Sequence, residues 1–308
     1  MKRLLPLIFL CLLCGCHAPQ EETQFLMDTV CTIRTNGEQA DAGIADAFAE
    51  IKEIQDAVNF YDPSSTVSRF NRAKAGEIIP LDEHTCAILR TALEVSKASN
   101  GAFDVTIAPI SSLWDFHQGI LPDRKDIQSR LGLVGWQNLL FDPNAKTLTK
   151  TKDGVAIDLG GAAKGYAADQ AAEILKMHGV PYGLLNLGGN IYVFGTNPNR
   201  KDGLWEVGIQ TPFADGGTYS KTHILASGAV VTSGIYQRNF TQDGVLYHHI
   251  LDPKTGFPVT NELASVTICT NSALLADCLS TACLVLGKID AKSLAKQFEA
   301  TLYLEPRQ

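Results

Sequence analysis

Beyond residue 16 the sequence has no Cys-x-x-Cys pair, which excludes a zinc knuckle and a thioredoxin-type redox motif. It has no Gly-x-Ser-x-Gly elbow, so the usual serine-hydrolase arrangement is absent, although Ser233-Gly234 invites the thought. It has no internal repeat and no low-complexity tract, and no Pro/Ser-rich linker divides the mature chain, which therefore reads as one domain. Positive charge is scarce. There are 26 Lys and Arg against 33 Asp and Glu, a formal charge of −7, and no basic stripe, a balance that argues against nucleic-acid binding. What is there suits a well-packed globular protein: 308 residues, 45% apolar and 19% charged.

Long hydrophobic runs are also missing. Leu4 to Leu13, preceded by Lys2 and Arg3, is too short to span a bilayer as a mature helix and has the form of an export signal. It leads into Leu13-Cys14-Gly15-Cys16, where a small residue directly before a cysteine resembles the lipobox of a bacterial lipoprotein. On this reading residues 1–15 are the signal peptide, Cys16 is the lipidated N-terminus, residues 16–24 are a polar tether, and residues 25–308 are the folded domain. The protein is then expected to be exported and lipid-anchored to a bacterial membrane, facing the periplasm or the exterior. Cys31, Cys86, Cys269, Cys278 and Cys283 remain in the mature chain, an odd number, so at least one thiol stays free. Cys278 and Cys283 lie in a helical apolar pattern and are expected in the core.

Residues 25–34 read as a strand. Ile44, Phe48, Ile51, Ile54 and Val58 form one stripe of a helix over 41–59. A second helix is expected over 82–99, ending before Asn100-Gly101. A hairpin follows from 138, turning at Asp142-Pro143-Asn144, and then a strand at Val155-Ala156-Ile157. A helix over 163–178 is expected next, with strands at 182–187, 190–195, 205–210, 223–227 and 264–269. Helices at 273–286 and 290–299 and a strand at 301–304 close the chain. Strands and helices interleave without a regular βαβ period, which points to an α+β fold rather than a doubly wound parallel sheet.

Four short stretches carry chemistry. In Asp158-Leu159-Gly160-Gly161-Ala162-Ala163-Lys164-Gly165, glycines at a helix start let a ligand approach the backbone, the first amides are unpaired donors, and Lys164 adds a cation. The stretch is neither Gly-x-Gly-x-x-Gly nor Gly-x4-Gly-Lys-[Ser/Thr], so on pattern alone a plain strand-to-helix turn with a solvated lysine is the commoner reading. Asn186-Leu187-Gly188-Gly189-Asn190 is a second glycine turn, a weak signal by itself. Asp277, Ser280 and Thr281 share one face of an otherwise apolar helix, where a hard cation or a solvent-facing stripe would each account for the aspartate. His248-His249 precede the turn Asp252-Pro253-Lys254-Thr255-Gly256; on a strand only one of the two histidines can face a shared site.

In order along the chain, Gly101-Ala102-Phe103-Asp104-Val105-Thr106, the Asp158–Gly165 segment, Asn186-Leu187-Gly188-Gly189, His249-Ile250-Leu251-Asp252-Pro253-Lys254-Thr255-Gly256 and Ala276-Asp277 through Thr281 resemble the ApbE family, over about residues 25–305. The resemblance implies a single-domain, T-fold-related α+β fold with mixed or antiparallel sheets. It implies an FAD:protein FMN transferase, which moves FMN from FAD to a Thr or Ser hydroxyl of a target protein and releases AMP with Mg2+. By the same resemblance Met27, Tyr61, Ala102, Phe103, Asp104, Asp158, Lys164 and Leu251 match flavin-contacting positions, and Gly161, Asp277, Ser280 and Thr281 match the metal site. Some relatives carry an aspartate where this chain has Ser280. His249 is the candidate base for the acceptor hydroxyl, since an ordinary imidazole is neutral at working pH. The expected partners are FAD and an acceptor protein, a membrane or exported redox protein. Two alternatives keep the same site: a Mg-dependent FAD pyrophosphatase giving FMN and AMP, and a non-catalytic FAD-binding lipoprotein.

Overall fold

The computed structural model describes residues 19–307. Cys16 and the signal segment lie outside the described residues. The chain opens with a hairpin, β1 (Gln20–Leu26) and β2 (Thr29–Thr35). Helix α1 (Ala40–Val58), α2 (Thr66–Arg72), the short β3 (Ile79–Pro80) and α3 (Glu83–Ala98) follow. Two short helices, α4 (Ala108–Ser111) and α5 (Arg124–Arg130), lead to the hairpin β4 (Leu139–Asp142) and β5 (Thr147–Lys150). Helix α6 (Gly160–Met177) precedes β6 (Tyr182–Leu187), β7 (Asn190–Gly195), β8 (Trp205–Gln210), β9 (Tyr219–Leu225) and β10 (Gly228–Gly234). A ribbon of β11 (Asn239–Gln242) and β12 (Val245–His248) comes next. Strand β13 (Leu263–Thr270), α7 (Ala273–Leu286), α8 (Lys288–Gln297) and β14 (Thr301–Pro306) complete the order.

The main sheet has the order β1-β2-β6-β7-β10-β13-β14, and every neighbouring pair is antiparallel. This is the α+β fold expected from the sequence. Side chains alternate across the sheet. On one face Cys31, Ile33, Leu185, Leu187, Tyr192, Val231 and Val266 join the large core under the helices. On the other, Tyr182, Val193 and Trp205 form a small cluster beneath the β8–β9 ribbon. Helix α6 packs on β6 and β7, α7 packs on β10 and β13, and α6 lies between α1 and α7. The stripe of α1 is buried as its spacing demands: Ile51 and Ile54 are fully covered, each contributing about 1.5–3 kcal/mol of burial. The five described cysteines are all buried free thiols, Cys278 and Cys283 among them.

Four expectations change. Residues 25–34 are the two arms of a hairpin that turns at Met27 and Asp28, both with positive φ (52° and 58°). Strand β1 begins at Gln20, so residues 20–24, read as tether, belong to the sheet. An edge strand with both polar and exposed positions carries no hydrophobic alternation to reveal it. Val155-Ala156-Ile157 joins no ladder. Its backbone is satisfied otherwise: Asn71 accepts from Ile157 N–H at 2.7 Å and donates to Ile157 O at 2.9 Å, while Lys150 Nζ donates to Val155 O at 2.7 Å. Helix α6 starts at Gly160, so the glycine pair is its first turn and Lys164 sits in the second, not the first.

Candidate active site

The hairpin tips and helix ends meet at one end of the main sheet. Cys31 of β2 pairs with Leu187 of β6, which sets the Met27-Asp28 tip beside the Gly188-Gly189 tip. Both glycines have positive φ (62° and 94°), the two-residue turn that suits the twist of the flanking strands. Strand β10 runs past β7 with Val230 opposite Ile191 and brings Ser233 to the same end on the helix-covered face.

Above this end α6 crosses α7 at very close range. An alanine Cβ at Gly165 would stand 2.2 Å from Ala273 O and 2.8 Å from Asp277 Cβ, so only glycine fits. The Gly165 N–H, whose helical acceptor would be Gly161 O, donates to Asp277 Oδ2 at 3.0 Å. Asp277 Oδ2 and the Gly161 carbonyl are thereby drawn around one amide. Thr281 lies one turn along α7, with its Oγ1 3.9 Å from where a Cβ on Gly161 would stand. A second tie fixes the crossing: Asp169 of α6 caps α7, accepting from Ser272 Oγ at 2.8 Å, Ala273 N at 2.7 Å and Leu274 N at 3.0 Å.

Asp277 is 5% exposed and has no Lys or Arg partner among the described residues. A buried carboxylate without a cationic partner is costly, and a bound cation would relieve that cost. The nearby donors are all oxygens: the carboxylate, the Thr281 hydroxyl and the Gly161 carbonyl. That set suits a hard divalent cation such as Mg2+. Ser280 is placed differently from the expectation. It is fully buried, its hydroxyl donates to Asp277 O at 3.0 Å, and it shares a hydrogen bond with Ser233 Oγ at 2.8 Å, so it braces the site from behind. Ser233 Oγ lies 3.1 Å from Thr281 Oγ1. Sequence reasoning gave Ser233 no role in this site, because a serine at the end of a strand carries no motif.

His249 follows β12 and is half-buried. Its Nδ1–H donates to Arg238 O at 3.3 Å, which leaves Nε2 as an acceptor. Burial, and then the Arg238 guanidinium, pull its pKa down to about 3, so the ring is neutral in the free protein; Lys164 is close enough to contribute to the same effect. Arg238 also donates to Asp28 Oδ2 at 2.7 Å, tying this loop to the β1–β2 tip. His248 points the other way. It is buried, with Nε2–H donating to Val259 O at 3.1 Å, so His249 is the one of the pair placed for chemistry.

A family model described as the ApbE family matches residues 27–304. The chain belongs to this family. It is 31% identical over 307 residues to a Vibrio cholerae protein named FAD:protein FMN transferase, an alignment covering 95% of this chain and 90% of that one. A Klebsiella pneumoniae protein of the same name is 34% identical over 242 residues, covering 78% and 74%. Among solved structures, the ApbE protein of Thermotoga maritima superposes with a TM-score of 0.85 at 32% identity, covering 94% of each chain. The flavin transferase ApbE of Vibrio cholerae gives a TM-score of 0.83 at 26% identity, covering 95% of this chain and 94% of that one.

The remaining positions suggested by ApbE resemblance fall into two groups. Met27 is half-buried at the hairpin tip, its N–H donating to Gln55 of α1 at 2.6 Å, and Tyr61, just past the end of α1, is 88% exposed, an uncovered ring that a flat ligand could stack on. Phe103 packs against Gly161, 3.2 Å from its Cβ position, beside buried Ala102. Lys164 is half-buried with Nζ 3.2 Å from Gly160 O. Asp158 is half-buried and accepts from Gly160 N–H at 2.8 Å and Ser111 Oγ at 3.3 Å. Two others serve the frame through their side chains. Asp104 Oδ1 accepts from Thr106 N–H and Oγ1 and its Oδ2 from Trp136 N–H at 2.8 Å, which ties the carboxylate to its own loop; burial raises its pKa. Leu251 packs with Ile110, Trp114 and Ile127 in a separate small core, so what it offers a ligand is backbone.

Proposed function

We propose that this ApbE-family protein is an FAD:protein FMN transferase that works with Mg2+, moving FMN from FAD to a Thr or Ser hydroxyl of an acceptor protein. The observation that carries this reading is the crossing of α6 and α7, where Gly165 N–H meets Asp277 Oδ2. It sets an oxygen-only donor group beside the start of α6, whose dipole favours an anion there. The names of the relatives in Vibrio cholerae and Klebsiella pneumoniae support the same activity.

Asp277, Thr281 and the Gly161 carbonyl would hold the cation. When bound it would neutralise charge on the pyrophosphate and act as a Lewis acid there. Of the first amides of α6, those of Gly160, Ala162 and Ala163 already donate to Asp158 Oδ1 and Leu159 O, contrary to the expectation of unpaired donors. The Gly161 N–H and the positive end of the helix dipole therefore orient the phosphates, and the Lys164 ammonium supplies a second positive charge. Met27, Tyr61 and Phe103 give apolar and aromatic surface to the flavin. His249 Nε2 accepts the proton of the acceptor hydroxyl as its oxygen bonds to the FMN phosphorus. The bond from that phosphorus to the bridging oxygen breaks, and AMP leaves with the oxygen. The imidazole is neutral before binding, and the approach of an anionic pyrophosphate raises its basicity where the proton must go.

The leader of residues 1–15 and Cys16 support an exported protein anchored by lipid, which would raise its effective concentration toward membrane or exported redox acceptors. The decisive assay mixes the protein with FAD, Mg2+ and an acceptor bearing a flavinylation threonine. Mass spectrometry should find FMN on the acceptor, lost on chelation of the metal. Free FMN and AMP with the acceptor unmodified would instead mark a hydrolase. FAD bound but unchanged would mark a carrier.

A further inference from the structure

One buried polar group has no task in the chemistry above. Asn190, the first residue of β7, is 3% exposed, and its Nδ2 has no hydrogen-bond partner among the described residues. An unpaired buried amide lowers stability, and native side chains in that state are uncommon unless something else meets them. The Gly188-Gly189 turn does not need it, because Asn186 Oδ1 already accepts from Gly189 N–H at 2.9 Å.

Its position explains the vacancy in its bonding. Asn190 pairs with Leu187, a core residue, so it faces the helices and not the β8–β9 ribbon. The pairing of Val230 with Ile191 sets Asn190 beside Val231 and two residues from Ser233 along the same face. Ser233 in turn touches Thr281, 3.1 Å away. Helices α6 and α7 both pack against β7. The amide therefore lies on the helix-covered face, one strand over from β10 and its Ser233–Thr281 contact.

We propose that Asn190 is a further substrate-binding residue, whose Nδ2 donates to a non-bridging phosphoryl oxygen of the dinucleotide pyrophosphate. This rests on the FAD-processing reading of the same site. A neutral donor suits the location. It gives a hydrogen to an anionic oxygen without competing with a divalent cation for Asp277, whereas a carboxylate there would repel the phosphates.

The test compares Asn190→Leu and Asn190→Asp in the intact chain. Melting temperature is measured without ligand, FAD affinity by flavin fluorescence, and FMN transfer with Mg2+ and an acceptor. Asn190→Leu should melt at or above the wild type, since an apolar group replaces an orphaned amide. Its FAD affinity should fall roughly 10- to 100-fold, the loss expected for one hydrogen bond to an anion. Asn190→Asp should bind FAD more weakly still. A leucine variant with a lowered melting point and unchanged FAD affinity would make Asn190 structural and overturn the proposal. So would an aspartate variant that binds FAD as the wild type does, and this second variant decides if leucine fails to fold. Failure of the wild type to modify an acceptor would sink the transfer reading alone, because FAD affinity is read separately.

Discussion

Replacing Gly165 with alanine sets two physical effects against each other with opposite signs. Gly165 lies inside α6, where alanine is the better helix former by about 1 kcal/mol. If helix propensity decided the outcome, Gly165→Ala would stabilise the protein. The crossing geometry argues otherwise. The new Cβ would meet Ala273 O at 2.2 Å, Ala273 C at 2.6 Å and Asp277 Cβ at 2.8 Å, and two of these three atoms are backbone that cannot rotate away. Restoring ordinary contact requires the helices to part by about 1 Å, and overpacking of that kind costs about 1–3 kcal/mol in a close-packed core. The net effect is a loss of up to about 2 kcal/mol, a few degrees in melting temperature. The larger effect is on the metal. Parting the helices moves Asp277 away from Gly161, and Mg2+ tolerates little departure from ligand distances of about 2.0–2.1 Å. The Mg2+ concentration for half-maximal FMN transfer should rise at least about tenfold, while FAD absorbance in the bound state still reports a folded flavin pocket. Thermal melts and a Mg2+ titration of the transfer rate test both points. A Gly165→Ala protein that melts higher than the wild type, with an unchanged Mg2+ requirement, would refute the close-crossing argument.

Three further outcomes follow from the same geometry. His249→Asn should lower FMN transfer by about 10²- to 10⁴-fold while leaving FAD affinity within about twofold; an equal rate would remove His249 from the role of base. His248 and His249 are held at about 4 and about 3, against about 6.5 in an unfolded chain. Between those values the unfolded state binds more protons, so the histidine contribution to stability is complete above about pH 6.5 and is lost as pH falls toward 3. Denaturant titrations from pH 7 to pH 4 should show this decline, and His248→Gln should flatten it; an identical slope in that variant would contradict the assignment. Asp169→Ala removes three hydrogen bonds from the start of α7 and should cost about 2–3 kcal/mol; a melting temperature equal to the wild type would show that the cap is dispensable.

The elements that were legible in the sequence are those whose burial is one-sided. α1 and α3 each bury one stripe and were readable to within a residue or two at either end. β6 and β7 have glycine punctuation between them and agree at both ends. β10 was not foreseen, the strand expected at 223–227 stopping short of it, because Gly228–Gly234 lies in the middle of the sheet and is buried on nearly every residue. A run covered on both faces has no alternation to read. β1 was missed for the opposite reason, being an exposed polar edge. Val155–Ile157 misled because its apolar side chains are buried like a strand's, while its hydrogen bonds go to the side chains of Asn71 and Lys150, and sequence patterns record burial rather than bonding partners.

The site divides along a similar line. The segments holding Gly161, Lys164, Asp277, Thr281 and His249 stood out because their chemistry is out of place in its neighbourhood (glycines in a helix, a carboxylate among Leu and Ala, paired histidines before a turn), and the resemblance to the ApbE family is what attached metal and flavin roles to them. Asp104 was just as conspicuous, and its carboxylate is held by Thr106 and Trp136. Conspicuous chemistry therefore says that a residue has a demanding partner, not whether the partner is a ligand or the protein itself. The complementary class, Ser233 and Asn190, is inconspicuous in sequence and becomes informative only through what it bonds or fails to bond. Ser233 reaches Thr281 across elements separated by 48 positions in the chain, and Asn190 Nδ2 has no hydrogen-bond partner among the described residues. The distinction is one of accounting for hydrogen bonds in three dimensions. A donor that the fold leaves unmatched beside an oxygen-lined crossing has the same standing as a motif, and here it directs attention to the phosphates rather than to the flavin ring.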